Sequence, residues 1–157
     1  MNGARIPLVI RAVLATAIPV TVAGVVPWWM LGQRIVPAAP WRWIFIVPML
    51  GGVAFGAWSV LLFGTEGRGT LAPIDPPTRF VARGPYRFTR NPMYVGVTCW
   101  LLSLAAFTGS RAVLLYGVIL PLVFHTFVVL VEEPGLSRTF GAPYDEYRRR
   151  VPRWIGF

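Results

Sequence analysis

From Ala112 to Val131 the chain reads Ala-Val-Leu-Leu-Tyr-Gly-Val-Ile-Leu-Pro-Leu-Val-Phe-His-Thr-Phe-Val-Val-Leu-Val, twenty residues without a fixed charge, and then Glu132-Glu133-Pro134. A helix rising about 1.5 Å per residue needs roughly twenty residues to cross about 30 Å of hydrocarbon. Three more uncharged stretches have the same length of twenty: Ala12 to Leu31, Ile44 to Phe63, and Asn91 to Ser110. Inside a bilayer no water satisfies the backbone, so such stretches must be helical. The expected fold is all-α, an integral membrane bundle of four transmembrane helices in a single domain, 1–157. A loop, 64–90, and a tail, 132–157 with a short C-terminal helix, connect and complete it.

Composition agrees with that reading. Apolar residues make up 55% of the 157 and charged ones 13%, about half the roughly 25% usual in soluble domains. All 15 basic residues are arginine, against six carboxylates, for a net charge of +9. Basic loops beside apolar spans are topology signals, so no nucleic-acid partner is expected. With a cytoplasmic N-terminus, that side holds twelve arginines: Arg5, Arg11, Arg68, Arg79, Arg83, Arg87, Arg90, Arg138, Arg148, Arg149, Arg150 and Arg153. The far side keeps only three, Arg34, Arg42 and Arg111. Both termini and both long polar segments are therefore expected on the cytoplasmic face. The first apolar run reads as a retained span, being too long for a signal peptide and without a small-residue cleavage site.

Cys99 is the only cysteine and His125 the only histidine, which removes an internal disulfide, a cysteine metal site and a histidine-pair zinc site. Pro19, Pro27 and Pro48 should kink the first two spans. Gly52 and Gly56 form a small-xxx-small pair suited to close helix approach. Trp28, Trp29, Trp41 and Trp43 flank the first loop as an interfacial belt. Gly109-Ser110-Arg111 should close a tight hairpin between the last two spans. The Gly-rich segment Gly64 to Thr70 lacks the Gly-Lys-Ser/Thr ending of a phosphate loop. In the tail, Tyr144 to Arg150 suits a short amphipathic helix with Asp145–Arg149 and Glu146–Arg150 pairs.

Chemistry concentrates at the cytoplasmic ends. Glu132 and Glu133 add negative charge where the fourth span is expected to end, against the helix dipole. Loop arginines such as Arg87 or Arg90 would pair them; alternatively they meet a cationic ligand or serve as a general base. His125, seven positions earlier, falls on the face of Glu132 in a continuous helix, and an intramembrane ionisable group is a functional candidate. Across from them, Asn91 suits an N-cap and Pro92 the first turn of the third span. Exposed N–H groups there suit an anion, and Gly84 and Gly96 would permit close backbone approach.

The block Gly84-Pro85-Tyr86 … Arg90-Asn91-Pro92-Met93-Tyr94-Val95-Gly96, with Glu132-Glu133, Leu136, Phe140-Gly141, Tyr144, Tyr147 and Val151-Pro152-Arg153, resembles the superfamily of isoprenylcysteine carboxyl and phospholipid methyltransferases. The resemblance spans roughly Gly67 to Arg153. It implies an integral membrane enzyme that uses S-adenosylmethionine at the cytoplasmic face, between the last two helices and the tail. Cofactor contacts would fall on Thr78, Arg79, Phe80, Val81, Tyr86, Asn91, Pro92, Met93, Tyr94 and Glu132. Glu132, Glu133, His125 and Arg90 are the catalytic candidates, with no metal. A carboxylate acceptor needs no base; an amine or hydroxyl would call on Glu133 or His125. Two departures bear on the substrate. Many members carry histidine where this chain has Asn91, and the prenylcysteine enzymes carry an arginine where it has Val128. The expected acceptor is an apolar, lipid-like or prenylated molecule entering from the bilayer, methylated at a carboxylate or an amine. The alternatives are a membrane reductase of a sterol-like lipid and a non-enzymatic subunit or transporter. The lack of an inverted repeat weighs against a transporter.

Overall fold

The computed structural model describes residues 17–32, 35–66 and 81–156. Residues 12–16 of the first apolar run, and Thr78, Arg79 and Phe80, lie outside the described residues. Those described form helices and connecting segments with no strand. We label the helices α1 (Ala17–Met30), α2 (Pro40–Glu66), α3 (Pro92–Thr108), α4 (Arg111–Phe140) and α5 (Ala142–Arg150). Only α2 and α4 are both long and apolar enough to cross a membrane; α1 and α3 are shorter apolar helices.

Proline sets the irregularities. In α1 a π turn, Thr21–Val25, precedes Pro27. Proline has no N–H for the carbonyl four residues back, which here belongs to Ala23. Trp100 Nε1 fills that place at 2.8 Å, and the Tyr116 hydroxyl bonds the adjacent Val22 carbonyl at 3.0 Å. The expected kink thus takes the form of a widened turn whose freed carbonyls tie α1 to α3 and α4. In α2 the start is a 3-10 segment, Pro40–Phe45, so the helix begins before Ile44.

The second π turn, Val128–Glu132, corrects the expected end of the fourth span. The helix does not stop at Val131 but runs on to Phe140. Glu133 N reaches five residues back to the Val128 carbonyl, widening the helix where the Pro134 ring would otherwise meet the carbonyl of Leu130. The acidic pair therefore sits within a helix and away from its C-terminal dipole.

Helix packing follows the glycines. A Cβ on Gly96 would lie 2.7 Å from the Gly52 carbonyl oxygen and 2.8 Å from Gly56 Cα, so α2 and α3 touch backbone to backbone. On the other face of α3, Leu104 and Ala105 pack against Val113 of α4. Gly109 adopts φ +71°, and the Ser110 hydroxyl accepts from Val113 N at 3.3 Å, closing the expected hairpin. At the same end Arg42 donates to the Ala106 carbonyl at 2.7 Å and lies over the Trp41 ring. Outward faces are apolar, with Trp29 79%, Val47 72% and Leu130 68% exposed. Continuous apolar surface of this extent is not left facing water.

Candidate functional site

At the opposite end from the hairpin, three segments meet: the approach to α3, the acidic turn of α4, and the stretch after α5. Gly84 turns at φ +55°, and the 3-10 turn Gly84–Arg87 follows. It buries Tyr86, whose hydroxyl reaches the Ser59 carbonyl at 3.4 Å. The Tyr147 hydroxyl donates to the Tyr86 carbonyl at 2.7 Å, docking α5 on that turn. Burial, with the neighbouring Tyr144, raises the Tyr147 hydroxyl pKa, so it stays protonated as a donor.

The chain after α5 is stitched to the start of α3. Arg90 N donates to the Pro152 carbonyl at 2.9 Å. The Arg153 carbonyl accepts from the Thr89 hydroxyl at 2.8 Å and from Asn91 Nδ2 at 3.1 Å. Asn91 does occupy the N-cap position before Pro92, but its side chain makes no cap bond; the expected capping role gives way to this tie. Three backbone contacts thus place the Arg153 side chain, which grips Glu133 with Nε at 2.7 Å from Oε1 and Nη2 at 2.9 Å from Oε2. Arg90 completes the cluster, with Nη1 2.9 Å from Glu133 Oε1.

Glu133 is 6% exposed. Burial works against its charge, but the Arg153 hydrogen bond and the charges of Arg90 and Arg153 win, holding its carboxyl below the usual range. Two guanidiniums face one carboxylate, and Arg90 Nε and Nη1 are buried without a hydrogen-bond acceptor aligned to them. Glu132 faces the other way. Its Oε2 accepts from the Tyr94 hydroxyl at 3.1 Å, and the Tyr94 ring lies 4.4 Å from that of Phe124. Burial raises the Glu132 carboxyl, the Tyr94 bond lowers it, and the charge of Glu133 raises it further. The two neighbouring acids therefore differ: one locked and ionised between guanidiniums, the other held by the Tyr94 hydroxyl.

His125 does not share the face of Glu132. A π turn holds one more residue than an α turn, so residues beyond it lag by about 100°. Glu133 then takes the position a continuous helix would give residue 132, and His125 lies on that side. Its Nδ1 accepts from Trp154 Nε1 at 3.1 Å. Of the remaining candidates, Val81 and Pro92 are buried and Met93 is partly buried. In α5, Glu146 pairs with Arg150 as expected, whereas Asp145 pairs with Arg148 at 3.5 Å and accepts from Ser137 at 3.1 Å, not from Arg149. A groove of about 520 Å3 between the 3-10 turn and α5 is lined by Ala82, Arg87, Pro143, Glu146, Tyr147 and Arg150. It includes none of the candidate residues. The cluster also draws in Thr89, Arg153 and Trp154, which were not among them; the Val151-Pro152-Arg153 motif was the available signal.

All-helical architecture, apolar outer faces and a polar corner at one end define a membrane-associated helical protein. Residues 42–143, more than half of the chain, match the phospholipid methyltransferase family, and the chain belongs to that family. It is also 34% identical over 76 residues to a protein-S-isoprenylcysteine O-methyltransferase of Schizosaccharomyces pombe. That match covers 48% of this chain and 32% of the relative, so the chain spans about a third of the relative's length. No solved structure matches.

Proposed function

We propose that the protein is an S-adenosylmethionine-dependent methyltransferase acting on an apolar acceptor that enters from the bilayer. In this reading all four apolar helices span the membrane, with the acidic corner and both termini cytoplasmic. Family membership supports the reaction class, and the corner formed by Arg90, Tyr94, Glu132 and Glu133 is the observation that carries the site. Its donor set fits the cofactor. The buried guanidinium of Arg90 and the start of α3 suit a carboxylate,. Glu132 suits an ammonium group or paired ribose hydroxyls. Val81, Tyr86, Asn91, Pro92 and Met93 complete the proposed set of contacts, to which the family resemblance adds Thr78, Arg79 and Phe80.

When bound, the cofactor supplies a methyl group on a sulfonium, a good leaving group for direct displacement. The chain's own share is alignment and exclusion of water. Tyr94 orients Glu132 through its hydroxyl. Glu133 keeps Arg90 and Arg153 in place and is too firmly paired to move a proton. A carboxylate acceptor becomes a neutral ester and releases no proton. An amine acceptor must lose one, and Glu132, with its raised pKa, is the better placed carboxylate to receive it,. Val128 is fully buried in the π turn, so the acceptor has no arginine from that position. This favours an acceptor held mainly by apolar contact, whether its methylated atom is oxygen or nitrogen. Neither comparison favours a reductase or a non-enzymatic subunit.

The test is cofactor binding by purified protein in detergent. Glu132→Gln keeps an acceptor for the Tyr94 hydroxyl and should retain the fold. It is expected to weaken S-adenosylmethionine binding at least tenfold, the cost of about 1.4 kcal/mol for a charged hydrogen bond. Arg138→Gln, at an exposed residue whose Nε donates to the Pro134 carbonyl of its own helix, should bind as wild type. Equal affinities in the two variants would reject the site, and tight NADPH binding would reject the reaction.

A further inference from the structure

Among the described residues, the His125–Trp154 bond ties the side chains of the post-α5 segment to α4 at a point away from both the α3 start and Glu133. Arg153 and Trp154 are neighbours whose side chains reach two points on α4, Glu133 and His125, eight residues apart. The π turn makes this possible. By removing about 100° of phase it stacks both points on one side of the helix, where consecutive residues of a single strap can reach them. In a continuous α-helix Glu133 would stand about 80° round from His125 instead of almost directly in line with it.

We propose that His125 and Trp154 form a latch that holds the 151–154 strap closed, and that His125 is a positioning residue for Arg153. The chemistry of the pair supports that role. Indole Nε1–H only donates, so the Nδ1 that accepts from it carries no proton. That nitrogen cannot serve as a base while the strap is docked. The ring centroids stand 6.2 Å apart and the pair lies on the outer surface of α4. There lipid would replace water as the competitor, and a lost bond would not be replaced by solvent. Trp154 is half-buried, as suits an amphipathic anchor at the edge of a bilayer,.

Opening the latch would free Trp154 first and leave Arg153 held by Glu133 and the Thr89 and Asn91 bonds. The strap should then open more often without unfolding the helices. The consequence for the cofactor rests on the methyltransferase reading; the consequence for the strap does not. The full chain in lipid nanodiscs, without cofactor, is followed by hydrogen exchange at the Arg90 amide, whose N–H donates to the strap's Pro152 carbonyl. Trp154→Phe keeps an aromatic ring but removes the N–H. It and His125→Ala should each speed exchange about fivefold, the loss of one hydrogen bond. The double variant should be no faster than either single one. His125→Asn, whose side-chain oxygen can replace Nδ1, should restore slow exchange. Exchange within 92–108 should stay at wild-type rates in every variant and serves as the fold check. Unchanged exchange in Trp154→Phe, or additive effects in the double variant, would overturn the latch. In the second arm S-adenosylmethionine dissociation should quicken about fivefold in Trp154→Phe with association unchanged. A fast strap with an unchanged dissociation rate would overturn the positioning role. Absence of binding in the wild type would reject the methyltransferase reading while leaving the exchange result to judge the latch.

Discussion

Adjacent glutamates in this chain have opposite environments. Glu133 is enclosed by Arg90 and Arg153, with side chains 10% and 30% exposed against its own 7%. Removing one partner from a buried ion cluster leaves uncompensated charge, which costs about 3–5 kcal/mol. Glu133→Gln should therefore lower stability by about 3 kcal/mol, read as thermal unfolding in detergent, and cost far more than Glu146→Gln at the exposed Arg150 pair. A drop no larger than that of Glu146→Gln would show that the cluster is not a structural tie. The pH dependence has a definite sign. The folded carboxyl lies below its ordinary value, so its contribution is complete above the unfolded pKa of about 4.3 and disappears as pH falls through the folded value. Exchange of the Arg90 amide, which donates to the strap's Pro152 carbonyl, corrected for intrinsic rates, should stay slow from pH 8 to about pH 5 and speed up only in stronger acid.

At the scale of elements, two devices set the geometry: the glycine seam of α2 and α3, and the proline-linked π turns. Gly52 and Gly56 are a common pattern, but here the partner is Gly96, and the obstacle to a side chain is backbone that cannot rotate aside. Gly96→Ala should destabilise by about 1–3 kcal/mol through overpacking and should move the start of α3, which carries Tyr94. Gly51→Ala, one residue from the seam with nothing within 4 Å, should be neutral or slightly stabilising. Unfolding of both variants in detergent checks this; equal midpoints would mean that α2 and α3 do not pack as described. The π turns add a different lesson. Each precedes a proline, and each displaces the phase of the helix beyond it, which is how Glu132 comes to Tyr94 while Glu133 comes to Arg153.

For the whole molecule, the decisive property is which end faces the cytoplasm. Twelve of the fifteen arginines would lie on the side of the acidic corner if all four apolar helices cross,. A cysteine at Val36, 61% exposed in the connection between α1 and α2, should then react with an impermeant maleimide in intact cells once Cys99 is replaced. A cysteine at Arg149, on the exposed surface of α5, should react only after lysis. The reverse pattern would invert the proposed orientation.

Helical class, the main apolar segments, the hairpin and the residue types of the corner were legible along the chain. They depend on local composition: uncharged runs must be helical in lipid, and Gly109-Ser110 admits a sharp turn in any context. Helix ends and partners were not legible in this way. Charge alone suggested that α4 should stop before Glu132, yet the helix continues, because Arg90 and Arg153 neutralise Glu133 and a π turn accommodates Pro134. Its place beside Pro92 makes Asn91 a cap candidate, but the carbonyl of Arg153, 62 residues away, takes its side chain. Counting turns of a regular helix puts His125 beside Glu132, but one extra residue in the turn between them brings Glu133 to that side, and His125 bonds Trp154. Sequence by itself determined which segments are apolar enough to be helices and which charges lie near their ends. Only the tertiary structure decided which acid meets which base, because that depends on helix phase and on contacts between residues far apart in the chain.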